Sequence, residues 1–278
     1  MTISAWLKAA TDELADEILP SPRLDAEIIL AHTIRHPRTY LHAHGDEELS
    51  ARDEDIANAR VELRKDRVPV AYIIGHKEFY GRRFVVSPAV LIPRPESEQL
   101  IDMLQTLLPR SAELPGIVEK RLVDLGTGSG CLGITAKLLF PQFEVALVDN
   151  SRHALTVAEK NARLLGAEVE TFVSDLLTNY PYSPDIILAN LPYVDRSWDY
   201  QSPELANEPA EALYAEDGGL AVIKRCIEQV AARAKPGALL LLEADPSQLD
   251  TISVYAKKHD FKEVGRDEYV VAFRLDND

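Results

Sequence analysis

The sequence predicts an α/β fold: a doubly wound, mostly parallel sheet with an antiparallel C-terminal edge, preceded by a small N-terminal helical bundle and a linking β-hairpin. Three observations carry this expectation. From about residue 119 onward, short apolar runs that end in turns alternate with helix-period segments, the pattern of parallel strands joined by crossover helices. Before about residue 75 every periodic segment has the helical spacing. Between them, residues 76–92 (HKEFYGRRFVVSPAVLI) turn aromatic and β-branched around Gly81-Arg82, which predicts a hairpin. The expected organisation is therefore a bundle over 1–75, a linking hairpin over 76–92 and an α/β domain over 93–278.

The elements follow in order. Trp6, Leu7, Ala10, Leu14 and Ile18 lie on one face of a first helix. Ser21-Pro22 reads as an N-cap with proline at the first helical position. That helix runs through Leu24, Ile28, Ile29 and Ile34 and must stop near His36, because Pro37 follows. Ser50 caps a third helix through Ile56, Val61 and Leu63. Strands are expected at Arg121–Leu125, Glu144–Asp149, Val169–Val173, Ile186–Ala189 and Ala238–Glu243, with helices at Leu132–Leu139, Ala154–Leu165 and Leu220–Ala234. Phe261–Val264 and Tyr269–Arg274 read as an antiparallel edge hairpin.

Composition narrows the function classes. With 46% hydrophobic and 27% charged residues, the 278-residue chain reads as an ordinary soluble globular protein. No apolar run reaches the ~18 residues of a membrane span. The amphipathic, acidic N-terminus resembles neither a signal nor a transit peptide, so a cytoplasmic location is expected. Cys131 and Cys226 do not suggest a disulfide framework, and His32, His36, His42 and His44 do not form a closed ligand set, so no metal is expected. The net charge of −15 is spread along the chain. A nucleic-acid binder needs a basic face. Arg60, Arg64, Lys65 and Arg67, or Arg82 and Arg83, offer local basic patches, but the overall field opposes a long polyanion. A small or proteinaceous substrate is expected, with no nucleic acid and no membrane, and a monomeric chain.

The chemistry-bearing segments sit at predicted strand ends. Asp124-Leu125-Gly126-Thr127-Gly128-Ser129-Gly130 lies between a strand and a helix, where glycines allow a tight turn and close approach to a ligand. Gly128-Ser129-Gly130-Cys131-Leu132-Gly133 also fits the dinucleotide fingerprint, so glycines alone do not separate cofactors. Three acids favour S-adenosylmethionine. Asp124 is expected to meet the cofactor's cationic amino-acid part, Asp149 its ribose hydroxyls, and Asp175 its adenine amine, with Leu176 packing on the ring. Asn190-Leu191-Pro192-Tyr193 ends the fourth strand beside this site. An amide nitrogen is a poor nucleophile because its lone pair is delocalised. Both its hydrogens must be held so that the lone pair points along the methyl–sulfur axis. The Asn190 side-chain carbonyl and the Leu191 backbone carbonyl can accept those hydrogens, and Tyr193 can pack over the planar group. In-line positioning within ~3–3.5 Å supplies much of the rate.

These residues, with Pro69–Gly75 (PVAYIIG), Phe84–Pro88 (FVVSP), Leu91–Glu96 (LIPRPE) and Glu208-Pro209, resemble the HemK/PrmC family of peptide chain release factor N5-glutamine methyltransferases over nearly the whole chain. The resemblance implies an N-terminal bundle for substrate recognition, a β-hairpin and a Rossmann-like class I methyltransferase domain. It implies S-adenosyl-L-methionine bound by Gly126 to Gly130, Asp149, Leu176 and Asn190, with S-adenosyl-L-homocysteine as product. It further implies that Asn190 to Tyr193 hold the glutamine of the Gly-Gly-Gln tip of a class I release factor. Arg94 and Glu96 are expected to form a salt bridge and are candidates for orienting the substrate. Trp198, in the polar loop Asp195 to Pro203, is a candidate cover. The chain departs from the family at Leu191, where Asn-Pro-Pro-Tyr is usual: leucine keeps the backbone carbonyl but lifts proline's restriction on Asn190, so a looser site is expected. Asp245 stands where glycine is common, and the final hairpin is short. Alternatives left open are a glutamine methyltransferase of a ribosomal protein, an adenine-N6 DNA methyltransferase, and a NAD-binding oxidoreductase or non-catalytic cofactor-binding module.

Overall fold

The computed structural model describes residues 1–15, 19–108, 120–198 and 203–276. Two compact units emerge, Met1–His76 together with Ser202–Asn207, and Lys77–Gln201 together with Glu208–Asp278.

The first unit is helical: α1 (Ile3–Leu14), α2 (Pro22–Ile34), α3 (Arg38–Ala43), α4 (Ala51–Lys65) and α5 (Val70–Ile74). Thr2 and Ser50 cap α1 and α4, accepting from Ala5 N at 3.3 Å and Asp53 N at 3.1 Å. Ser21 precedes α2 without a side-chain cap bond, and the helix ends where Arg35 adopts φ +60°. Trp6, Leu7, Ile29, Leu30 and Val61 fill the core; the expected Ile18 lies outside the described residues. Leu63 is exposed, and the buried face of α4 carries Ala57, Val61 and Arg64. Arg64 is held between Asp25 (2.7 Å) and Glu204 (2.5 Å), as a buried guanidinium must be. The short α3 and α5 have too few turns for periodicity to reveal them.

The second unit opens with a hairpin, β1 (His76–Phe79) and β2 (Arg82–Val85). Its turn is Tyr80-Gly81, both at positive φ, one residue earlier than the expected Gly81-Arg82. After α6 (Glu98–Leu107) come β3 (Arg121–Leu125), α7 (Cys131–Leu139), β4 (Glu144–Asp149), α8 (Arg152–Leu165), β5 (Glu170–Val173), β6 (Ile186–Asn190), α9 (Ala210–Leu213), α10 (Ala221–Arg233), β7 (Leu239–Glu243), α11 (Leu249–Lys257), β8 (Phe261–Arg266) and β9 (Val270–Leu275). The seven-stranded sheet runs β5-β4-β3-β6-β7-β9-β8. It is parallel from β5 to β7, while β9 lies antiparallel to both β7 and β8. Val123, Leu125, Ile187, Ala189, Leu240 and Leu242 pack on one face with α10 and α11, and Leu122, Leu147, Leu188 and Leu241 pack on the other with α6, α7 and α8. Helices on both faces explain why the central strands are almost wholly apolar. Among the described residues no helix is long and apolar enough to cross a membrane.

The sheet decides where a ligand can sit. From β3 the chain crosses to β4 and β5 on one side, then returns to β6 on the other. The carboxyl ends of β3 and β6 are adjacent, with Leu125 opposite Ala189. A crevice opens at such a reversal.

Candidate active site

A cavity lies at this crevice. Its wall includes Gly126, Gly128, Asp149, Asp175, Leu176, Asn190, Leu191 and Pro192, and Val90, Ala212 and Val222 add apolar surface. The glycine loop leaves β3 with Gly126 at φ +67°. A Cβ there would stand 3.1 Å from the Leu191 side chain, so glycine allows the loop and the tetrapeptide to meet. Asp149 ends β4 with one oxygen accepting from Gly128 N and the other from Ser151 N, both at 2.9 Å. Burial raises its pKa, the Ser151 and Gly128 N–H groups resist, and Glu211 adds to the rise. Each carboxylate oxygen keeps a lone pair for a ligand hydroxyl.

Several expected contacts fall elsewhere. Asp124 lies beneath the loop, buried, and does not line the cavity. Its Oδ2 accepts from Thr127 Oγ1 (2.6 Å) and Gly133 N (2.9 Å), locking the loop onto the first turn of α7. Its Oδ1 is buried with no hydrogen-bond partner. Burial drives this carboxyl up to about 7, with Thr127 and Gly133 opposing and Asp149 reinforcing. Thr127, Ser129 and Gly130 shape the loop without lining the cavity. Ser129 is fixed by Asn161 of α8, whose Nδ2 donates to Ser129 O (2.8 Å) and Val85 O (3.0 Å) while Oδ1 accepts from Val85 N (2.7 Å). Asp175 lines the rim but is ion-paired with Arg225 of α10. Leu176 takes φ +51° and is buried against the cavity.

The tetrapeptide is anchored from below. Asn190 Nδ2 donates to Ser97 Oγ at 2.9 Å, and Oδ1 remains an acceptor on a residue that lines the cavity. Tyr193 does not line the cavity; its hydroxyl turns to Glu243 Oε1 at 3.3 Å, drawn by a buried acceptor at the end of β7. Burial pushes the tyrosine pKa far up, and neighbouring Glu243 adds to this. Burial also pushes Glu243 up to about 7, against the donors Ser97, Tyr193 and Asn190. The Tyr193 carbonyl accepts from Gln248 Nε2 at 2.9 Å, and the same amide reaches Gly218 O at 2.8 Å. A side chain on Gly219 would overlap that carbonyl. Arg94 pairs with Glu208 at 2.5 Å and not with Glu96, which is exposed; Glu208 also accepts from Ile92 N at 3.0 Å. The expected Arg94–Glu96 bridge is thus replaced by one that fastens the segment before α6 to the one before α9. Trp198 is half-buried and outside the cavity wall, and residues 199–202 of its loop lie outside the described residues.

Ser97, Asn161, Glu208, Arg225, Glu243 and Gln248 were not singled out as site residues from the sequence. A signal existed for Glu243: like Asp149, it is an acid closing an otherwise apolar strand.

The cavity, the glycine loop and the tetrapeptide coincide with matches to known proteins. The PrmC N-terminal domain family matches residues 5–75, and the methyltransferase small domain family matches residues 97–232. A release factor glutamine methyltransferase of Koribacter versatilis is 39% identical over 256 residues, 91% of this chain and 89% of that protein. The chain belongs to the release factor glutamine methyltransferase family. Relatives of the same name from Deinococcus radiodurans and Escherichia coli are each 34% identical, covering 91% and 87% of this chain and 89% and 86% of their own. Among solved structures, a methyltransferase from Pyrococcus furiosus superposes with a TM-score of 0.53 at 15% identity, over 79% of this chain and 98% of its own. The T. thermophilus 16S rRNA N2 G1207 methyltransferase, in complex with AdoMet and guanosine, reaches 0.52 at 20% identity, over 72% of this chain and 49% of its own. These two share the fold, which is Rossmann-like. As a member of this family the chain is an enzyme of the S-adenosylmethionine-dependent methyltransferase class.

The residues present fit that cofactor. Two side-chain-free positions, Gly126 and Gly128, line the cavity, Asp149 offers paired acceptors, and Asp124 Oδ1 is left as an unfilled acceptor under the loop.

Proposed function

We propose that this enzyme transfers a methyl group from S-adenosyl-L-methionine to the N5 amide nitrogen of the glutamine in the Gly-Gly-Gln tip of a class I peptide chain release factor. The observation that carries the reading is the Asn190 amide: with its N–H group given to Ser97, its carbonyl is the acceptor presented where the glycine loop meets the tetrapeptide. The names of the relatives, release factor glutamine methyltransferase, support the same substrate.

When bound, the cofactor supplies an electrophilic methyl group and leaves as S-adenosyl-L-homocysteine. Gly126 and Gly128 give it backbone contact, Asp149 accepts from the ribose hydroxyls, and Leu176 packs on the adenine. Asp124 acts through its charge, favouring a cationic ligand from below the loop. On the substrate side, Asn190 Oδ1 and the Leu191 carbonyl would each accept one hydrogen of the glutamine NH2, exposing its lone pair to methylation, and one of these hydrogens leaves as a proton to solvent as the nitrogen–carbon bond forms. Pro192 keeps Leu191 extended. Tyr193 supports the tetrapeptide from beneath, tied to Glu243 and Gln248. Arg94 and Glu208 brace the segment that carries Ser97, and Glu96 is left as an exposed charge for the substrate protein.

In this reading residues 1–75 recognise the release factor, 76–92 link, and 93–278 catalyse. The net charge of −15 supports a protein substrate over a nucleic acid, and a substrate that works on the ribosome puts the reaction in the cytoplasm. The test is incubation with labelled S-adenosylmethionine and purified release factor, followed by mass mapping. Label on the Gly-Gly-Gln glutamine is expected; label elsewhere or none overturns the assignment.

A further inference from the structure

The underside of the tetrapeptide holds a buried acid that the cofactor and substrate contacts leave unused. Glu243 closes β7, a strand buried at every position, and is itself 1% exposed. In the parallel register it stands directly opposite Asn190 of β6. Its carboxyl lies against Ser97, Tyr193 and Asn190. Oε1 takes the tyrosine hydroxyl at 3.3 Å, while Oε2 is buried with its acceptor capacity unfilled. Ser97, 2% exposed, accepts from Asn190 Nδ2 at 2.9 Å. A serine hydroxyl has one hydrogen to give, and the Glu243 carboxyl is the acceptor it lies against. A buried donor and a buried acceptor are each costly to leave unmade, so the two belong together.

We propose that Glu243 is a positioning residue for methyl transfer: by taking the Ser97 hydroxyl hydrogen it obliges Ser97 to accept from the Asn190 N–H group, and so holds Asn190 with its carbonyl toward the substrate. The consequence follows from the near-symmetry of an amide. An Asn side chain turned by half a rotation fills the same space but presents NH2 where the carbonyl stood. Opposite a substrate NH2, that places donor against donor, and one of the two hydrogens that must be engaged is released. Asn190 alone has no preference between these states. A serine whose hydrogen is already given away does, because it then has only lone pairs to offer. Glu243 also receives Tyr193, so both ends of the tetrapeptide are set by one acid on the neighbouring strand.

This inference rests on the glutamine-methylation reading, and the experiment separates the two. The full-length enzyme, Glu243→Gln, Ser97→Ala and the double variant are assayed for kcat and KM with purified release factor, together with cofactor Kd and melting temperature. Glu243→Gln is nearly isosteric but offers Ser97 a donor as readily as an acceptor. Its kcat is expected to fall about tenfold or more while cofactor Kd stays within about twofold. Ser97→Ala is expected to show the same split. The double variant should be no slower than the slower single one, because both act through Asn190. Glu243→Gln at the parent kcat, multiplying losses in the double variant, or a parallel loss of Kd and kcat overturns the proposal. If Glu243→Gln does not fold, Ser97→Ala decides alone: unchanged kcat overturns the proposal. A parent enzyme that does not label the release factor overturns the assigned reaction, and this inference with it.

Discussion

Replacing Asp124 with asparagine tests the electrostatics of the glycine loop most directly. Its carboxyl moves from an ordinary value of 3.8 to about 7 because it is buried. At 1.36 kcal/mol per pH unit, holding it ionised costs the folded enzyme about 4 kcal/mol above pH 7. The sign follows from a raised acid. Well below pH 3.8 the group is protonated in both the folded and unfolded chain and costs nothing; the cost grows as pH rises, and it is complete once pH passes the folded value. At pH 5 less than half of it is present. Asparagine removes the charge, keeps a carbonyl for Thr127 Oγ1 and Gly133 N, and places an amide N–H group where Oδ1 has no partner, a penalty of ~1–3 kcal/mol that does not vary with pH. Denaturant unfolding of the cofactor-free parent and Asp124→Asn at pH 5 and pH 8 isolates this residue. The stability of the variant relative to the parent should rise by about 2–3 kcal/mol between the two pH values. A relative stability that does not change with pH refutes the reasoning. At pH 8 the variant should also bind S-adenosylmethionine about tenfold more weakly, the loss of one through-space charge interaction.

Other outcomes follow from the same geometry. Asn190→Ala should lower kcat by about a hundredfold or more, since one of two acceptors for the substrate amide is gone, with a smaller change in cofactor affinity measured by calorimetry. Leu191 is 3% exposed and packs against Gly126, so Leu191→Ala should destabilise the enzyme by ~2–5 kcal/mol in denaturant titrations. Leu191→Pro exchanges that packing for a restraint on Asn190 and should change turnover or cofactor affinity; no change in either removes the significance given to this position. Arg225→Ala frees Asp175 for the adenine amine and should tighten cofactor binding a few-fold, by ~1 kcal/mol or less for so exposed a pair; weaker binding would show that the arginine is itself a cofactor contact.

The strand–helix order was legible because it depends on periodicity, and periodicity survives in a single chain. Arg121–Leu125 and Glu144–Asp149 occur as the sequence predicts. That the glycine loop, Asp149 and Asn190 meet at one edge of the sheet was legible because turns and strand ends confine a few residue types there. What escaped is long-range pairing. Ser97 meets Asn190 across 93 residues and Arg94 meets Glu208 across 114, and nothing local in Ser97 or Glu208 announces a partner. Nearest-neighbour reasoning paired Arg94 with Glu96 instead, although the 3-10 turn over Pro95–Ser97 leaves Glu96 exposed. Asp124 was assigned to the ligand because its spacing suits one; its burial depends on α7 supplying Gly133 N from above. Leu191 looked like a lost proline restraint, but its packing against Gly126 and the Ser97 bond to Asn190 supply fixity that tetrapeptide composition does not reveal.

The pin that Gln248 places on the Tyr193 carbonyl bears on the order in which the enzyme is made. That bond joins residues 55 apart, and its companion to Gly218 joins residues 30 apart. A nascent chain that has not yet released Gln248 already carries the glycine loop, Asp149 and the whole tetrapeptide, but Tyr193 has neither its pin nor, until β7 is complete, Glu243. The glycine loop and the tetrapeptide are therefore synthesised before the groups that support the tetrapeptide from beneath. Those supporting contacts are among the last that the chain can form, together with the closing edge of the sheet.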